Sequence, residues 1–212
     1  DFNALQLFSE NRYVGQDRIG DTQQLALGVT SRFYDADSQK ERLRVTIGER
    51  FYFNNQRVTL GESARDRNSS DILLAAQGRV TDALYVEASG QYNANAGQTE
   101  RFSFGLRYTP EKAKAININY RAIRELATST GNVQVKQIDA AGQWPIYKNI
   151  YAVGRLNYSI ADRRMTESVI GLEWDGCCYV IRAVGQRITT STTTATNAFF
   201  LQLELNGLGR VG

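Results

Sequence analysis

Cys177 and Cys178 are the only cysteines in 212 residues, and they are adjacent. They lie in the run Glu173-Trp174-Asp175-Gly176-Cys177-Cys178-Tyr179-Val180-Ile181-Arg182. A bond between the two is disfavoured. A disulfide wants its Cα atoms about 4.4–6.8 Å apart, which neighbours reach only with backbone strain. A metal site would need about four ligands at spacings such as Cys-x2-Cys, and the chain has no His and no third Cys. Two readings stay open: each sulfur pairs with a cysteine outside this segment, or both are reduced, partly buried thiols behaving as small apolar side chains. With no His a Ser-His triad is excluded, and no carboxylate pair stands out by spacing. Catalytic residues, cofactors and metals are therefore not expected.

The elements around the pair are strands. The chain has 18 Gly, 11 Tyr and 9 Phe against 2 Pro and 1 Met, and Val, Ile and Thr are plentiful, a strand-forming composition. A net charge of +3 implies no nucleic-acid partner. No apolar run is long enough for a transmembrane helix. The start at Asp1 and the lack of a signal peptide lead us to expect a piece of a longer polypeptide. After a polar, loop-like stretch to Gln24, residues alternate at period two almost without pause. Leu25, Leu27, Val29 and Phe33 oppose Gly28, Thr30, Arg32 and Tyr34; Leu43, Val45, Ile47 and Phe51 oppose Arg42, Arg44, Thr46 and Arg50. The pattern continues to Phe199, Leu201, Leu203 and Leu205 against Gln202 and Glu204. The facing of 133–144 and 179–188 stays open, because Val180, Val184 and Ile188 compete with Tyr179, Ile181 and Ala183. This makes about eleven strands near the ~9–11 residues that a tilted strand needs to cross a bilayer. With no helices between them, an antiparallel meander follows.

One face is aliphatic with aromatics towards its ends, including Phe33, Tyr108, Trp144 and Trp174, as in a barrel in lipid. The other carries Arg42, Arg44, Arg50, Arg79, Arg101, Arg107, Arg121 and Arg155. The plain account is a polar lumen with ion pairs to Glu87 and its neighbours; the functional one is a passage for phosphates or carboxylates. Turns are expected at 36–39, 81–83, 109–113, 145–148 and 175–176, and connections longer on the whole at 54–70, 93–98, 125–132, 162–164 and 189–196, with 162–164 the exception. Alternation of short and long assigns the short end, with the cysteines and the C-terminus, to the periplasm, where thiols are oxidised.

Three segments then carry a resemblance. Asn11 to Asp21 with Gly28-Val29-Thr30-Ser31-Arg32, the Cys177-Cys178-Tyr179-x-Ile181-Arg182 run, and Leu203-Glu204-Leu205-x-Gly207-Leu208-Gly209 are similar, in order, to segments of the LptD family of lipopolysaccharide-assembly outer-membrane proteins. The resemblance implies an all-β, antiparallel transmembrane barrel of about 26 strands, with residues 1–212 its C-terminal part and a periplasmic jellyroll upstream. It implies lipopolysaccharide transport into the outer leaflet of a Gram-negative cell, a lipoprotein plug of the LptE type, and a periplasmic bridge that docks through the N-terminal domain absent here. It implies that Cys177 and Cys178 form disulfides to upstream cysteines. It also implies that the last strand, about Asn197–Asn206 with Asn197, Phe199, Leu201, Leu203 and Leu205, borders a lateral gate. Two rivals are weighed beside it: a generic outer-membrane diffusion channel, which has no need of the cysteine pair, and a soluble β-sandwich binding module.

Overall fold

The computed structural model describes residues 23–53, 68–128, 131–176, 178–189, 194–205 and 209–211; for 125–128, 131–133 and 209–211 it describes the strand backbone only. The strands are β1 (Gln24–Tyr34), β2 (Glu41–Tyr52), β3 (Ile72–Arg79), β4 (Leu84–Asn93), β5 (Gln98–Glu111), β6 (Lys114–Thr128), β7 (Gly131–Tyr147), β8 (Ile150–Ser159), β9 (Arg164–Asp175), β10 (Tyr179–Thr189), β11 (Ala195–Leu205) and β12 (Gly209–Val211). They follow chain order in one sheet. The chain divides into two compact units, one of Asp1–Arg79, Glu87–Ser103 and Ile123–Gln134, the other of Val80–Val86, Phe104–Ala122 and Val135–Gly212.

In the first unit the β1–β2–β3 register puts like with like. Val29 faces Ile47, which faces Leu74, and Phe33 faces Leu43; on the opposite face Thr30 pairs with Thr46 and Arg32 with Arg44. In the second unit the rows across β7–β11 hold the same logic. Trp144, Ala152, Leu172, Ala183 and Leu201 share one face, and Tyr151, Glu173, Arg182 and Gln202 the other. This orients the two strands that period-two counting left open. In β7, Ile138 and Trp144 lie on the apolar face; in β10, Tyr179, Ile181 and Ala183 do, while Val184 and Ile188 lie with the polar residues.

Several boundaries differ from expectation. Pro110 and Pro145 lie inside β5 and β7 and do not begin turns; the register shifts just after Pro145, the kind of irregularity at which a missing N–H is tolerated. In the polar stretch 125–132, residues 125–128 and 131–132 are strand, and 129–130 lie outside the described residues. Connections 94–97 and 160–163 are thus no longer than 80–83, so loop length marks the two ends only through the stretch between β2 and β3. Residues 54–67 of that stretch, and 1–22, fall outside the described residues. The strand at 195–205 is not the last. β12 turns back and pairs with β11 at Leu203–Val211, Glu204–Arg210 and Leu205–Gly209. Turns close with non-glycine residues in the left-handed region at Gln39, Ala113, Lys148 and Arg163.

Buried apolar residues are few. Among the described residues only Tyr52, Leu73 and Ile123 form a core. Burial of apolar side chains between layers therefore does not hold these strands; ladder hydrogen bonds and cross-strand pairs do.

Candidate functional site

The rows of β7–β11 build two different surfaces from the same strands. On the polar face, Glu173 is buried. The Arg182 Nε donates to Glu173 Oε2 at 2.8 Å, and its Nη2 donates to the same oxygen. Arg182 Nη1 donates to Gln202 Oε1 at 3.0 Å, and Gln143 Nε2 reaches Glu173 Oε1 at 3.5 Å. The carboxylate and guanidinium, each costly to bury alone, satisfy one another and tie β9, β10 and β11 side by side. A second row lies further along the strands. Arg155 Nε donates to Asp139 Oδ2 at 2.8 Å, its Nη1 is 3.9 Å from Glu167, and Gln186 Nε2 donates to Glu167 Oε1 at 2.7 Å. Between the rows, Val153, Gly171, Val184 and Phe200 form an apolar stripe on this otherwise polar face.

The other face is apolar and open. Ile170 is 77% exposed, Phe199 73% and Leu201 67%. An apolar patch of that extent on a water-facing sheet marks an interaction surface. At the end where the β9–β10 turn sits, the rings of Trp174 and Tyr179 meet edge to face at 5.5 Å. Lys114 Nζ stands 5.6 Å from the ring of Trp144. Gly176 lets the Tyr179 ring come close to the turn: a Cβ there would lie 2.9 Å from that ring and push it aside.

Cys178 is exposed and unbonded, beside Tyr179 at the start of β10. Cys177 lies outside the described residues. The pairing of Tyr179 with Leu205 brings Cys178 to the same end as the close of β11. Asn197, Phe199, Leu201, Leu203 and Leu205 all lie on the apolar face of β11. Its outer edge is covered by β12 at 203–205 alone, which leaves Ala195–Gln202 without a strand partner on that side among the described residues.

The arginines are divided between the two units. In the first unit Arg44 grips Glu41 with Nε at 2.8 Å and Nη2 at 2.9 Å, and Arg42 reaches Asp35 at 3.3 Å. Asp35, in the β1–β2 turn, has its carboxyl pulled down from 3.8 to about 2. The main cause is the Ser38 backbone N–H, followed by the Ser38 hydroxyl, with a smaller contribution from Arg42. Arg50 is buried beside Tyr52, Arg101 is half-buried, and Arg79 is exposed at the end of β3. In the second unit Arg107 donates to Asn117 at 3.2 Å and Arg121 to Gln137 at 2.9 Å. Glu87 makes no ion pair with a described residue; Asp35, Glu41, Asp139, Glu167 and Glu173 take the acidic roles.

Two features had no place in the sequence reading. The Glu173–Arg182 pair follows from the register that sets Asp175 opposite Val180, whereas a turn at 175–176 would set Glu173 opposite residue 178. Arg187, on the apolar face of β10, had no signal, because the facing of that strand was open.

Comparison with known proteins adds the following. Residues 1–150 match the LptD family model, described as LPS transport system D. The whole chain is 44% identical to the LPS-assembly protein LptD of Azoarcus sp. (strain BH72) and covers 26% of it. It is 45% identical to that of Aromatoleum aromaticum, covering 26%, and 41% identical to that of Thiobacillus denitrificans, covering 28%. The chain thus spans about a quarter of the length of these curated relatives. Among solved structures it resembles a KdgM porin at TM-score 0.34 and 9% identity, over 87% of this chain and 92% of that one. It resembles a NanC porin at 0.39 and 10%, over 86% and 93%. Likeness of that size carries no weight for fold or function.

Proposed function

This chain belongs to the LptD family, and from that premise we propose that it is the C-terminal part of an outer-membrane β-barrel that passes lipopolysaccharide into the outer leaflet. The observation that carries the reading is the two-faced sheet of β9–β11. Its outer side bears exposed Ile170, Phe199 and Leu201, suited to lipid, and its inner side bears the ladder of Glu173, Arg182 and Gln202. In hydrocarbon an open strand edge leaves backbone groups unsatisfied, so the edges of β1 and β11 that no described strand covers call for further strands of the same polypeptide. The work is passage and not bond chemistry. Acyl chains leave sideways along β11, bordered by Asn197, Phe199, Leu201, Leu203 and Leu205, while sugars and phosphates follow the inner face, where the arginines and amides lie. A lipoprotein plug of the LptE type sits on that inner face, and the periplasmic bridge docks on the upstream domain. Cys178 and its neighbour Cys177, at the periplasmic end, form disulfides to that domain.

A photo-cross-linking residue at Phe200, exposed on the inner face of β11, tests the route in living cells. An adduct with lipopolysaccharide is expected. A diffusion channel would give none, and its absence in a folded protein would overturn the reading. Mass-spectrometric mapping with and without reductant tests the cysteines: cross-links to far upstream cysteines are expected, and two free thiols would remove the tie to a periplasmic domain.

A further inference from the structure

Arg187 is the only charged residue among the described apolar-face positions of β9–β11. It is exposed, and it makes no hydrogen bond or ion pair with a described residue. Its cross-strand neighbours are Ser168 on β9 and Asn197 on β11, so a hydroxyl and an amide flank the guanidinium. Down the same strand the next apolar-face residues are Gly185 and Ala183, both small. Gly185 lies between Ile170 and Phe199, and Ala183 between Leu172 and Leu201. The four large side chains are 53–77% exposed and stand as walls on either side of a floor without side-chain bulk. A Cβ at Gly185 would come no nearer than 3.9 Å to any atom of another strand, so the floor is open and not filled from below. The result is an apolar trench along β10 headed by an unanswered cation.

A bare cation on a lipid-facing wall is unfavourable unless it stands near the interface or meets a counter-charge. Arg187 is close to the end of β10 at Thr189, which puts it near the headgroup level of a strand that crosses the bilayer. The guanidinium fork suits a phosphate, gripping two of its oxygens at once. The trench suits an alkyl chain. Together the geometry points to a binding site for a phosphate-bearing membrane lipid on the outer wall: its phosphate lies on Arg187 between Ser168 and Asn197, and one acyl chain lies over Gly185 and Ala183. A free phosphate would use only the head of the site. This inference rests on the reading of the apolar face as a membrane wall.

The test uses the complete polypeptide that carries this chain, in detergent micelles, with lipid retention read by native mass spectrometry during titration with phosphatidylglycerol. Arg187→Gln is expected to weaken retention about tenfold, the scale of one charge-assisted contact, with Arg187→Lys losing less. Gly185→Leu fills the trench floor without a backbone clash and is expected to weaken retention comparably while leaving the guanidinium in place. Glycerol phosphate should not displace the lipid. Unchanged retention in both Arg187→Gln and Gly185→Leu overturns the site, as does full displacement by glycerol phosphate, which would reduce it to an ion contact. Protease protection of the wild type in vesicles reads the wall separately. A protein that inserts but whose variants bind unchanged loses only the trench; one that never inserts loses both readings.

Discussion

The two faces of β9–β11 share every backbone atom and differ in how their side chains are answered. On one face Glu173 is buried and accepts from Arg182 on one oxygen and Gln143 on the other, and Arg182 in turn reaches Gln202. On the other, Ile170 has glycines as both cross-strand neighbours, Gly154 and Gly185, and projects almost bare. A sheet in water hides its apolar face and lets its polar face take hydrogen bonds from solvent. Here Glu173, Arg182 and Gln202 answer one another on the polar face and the apolar face stays open, the pattern of a wall whose outer solvent is lipid.

The strongest way to break that comparison is to charge the open face. Ile170→Lys should cost about 2–4 kcal/mol if the residue faces the middle of a bilayer, but at most about 0.5 kcal/mol on a water-exposed surface. Urea unfolding of the complete protein refolded into vesicles separates the two. The opposite face is tested by Glu173→Ala, which strands the Arg182 guanidinium. The expected loss is about 2 kcal/mol, below the ~3–5 kcal/mol of a fully buried pair, because the Arg182 side chain keeps 36% exposure. Glu173→Leu combined with Arg182→Met should recover most of it. Additive losses in that double-mutant cycle would mean that the pair is not coupled. A smaller effect is expected from Gly171→Ala, whose Cβ would lie 2.4 Å from the Ala183 carbonyl oxygen. Moving the β10 backbone to make room should cost about 1–2 kcal/mol, read as a lower urea midpoint. A wild-type midpoint would mean that β9 and β10 slide freely.

Strands were legible because period two survives in nearly every element, and wherever the alternation was clean, as in 25–33 or 43–51, facing was legible too. It failed in β10 for a physical reason. Val184 belongs to an apolar stripe with Val153 and Phe200 on the polar face, so hydrophobicity appears on both sides and the period carries no phase. Only the register with Trp174 and Leu205 orients the strand. Arg187 was hidden by the same ambiguity. Turn boundaries were not legible at Pro110 and Pro145, because a proline near the end of a strand costs little if its missing N–H is not needed by a neighbour. The cysteine pair was conspicuous by type, but a pairing that reaches outside the segment has no signature within it.

The smallest expected effect lies at the β1–β2 turn, outside both faces, and so serves as their control. The Asp35 carboxyl accepts hydrogen bonds from the Ser38 backbone and hydroxyl, and Arg42 stands beside it, which holds it at about 2. A carboxyl depressed on folding favours the folded state while it is ionised. Its contribution is therefore complete above about pH 4 and is lost as pH falls through about 2. Asp35→Asn should flatten that part of the curve of urea midpoint against pH, and it should do so equally in vesicles and in micelles, because the turn stands clear of the strands that meet lipid. A change confined to vesicles would put this turn inside the membrane and would move the boundary of the wall by a full turn at that end.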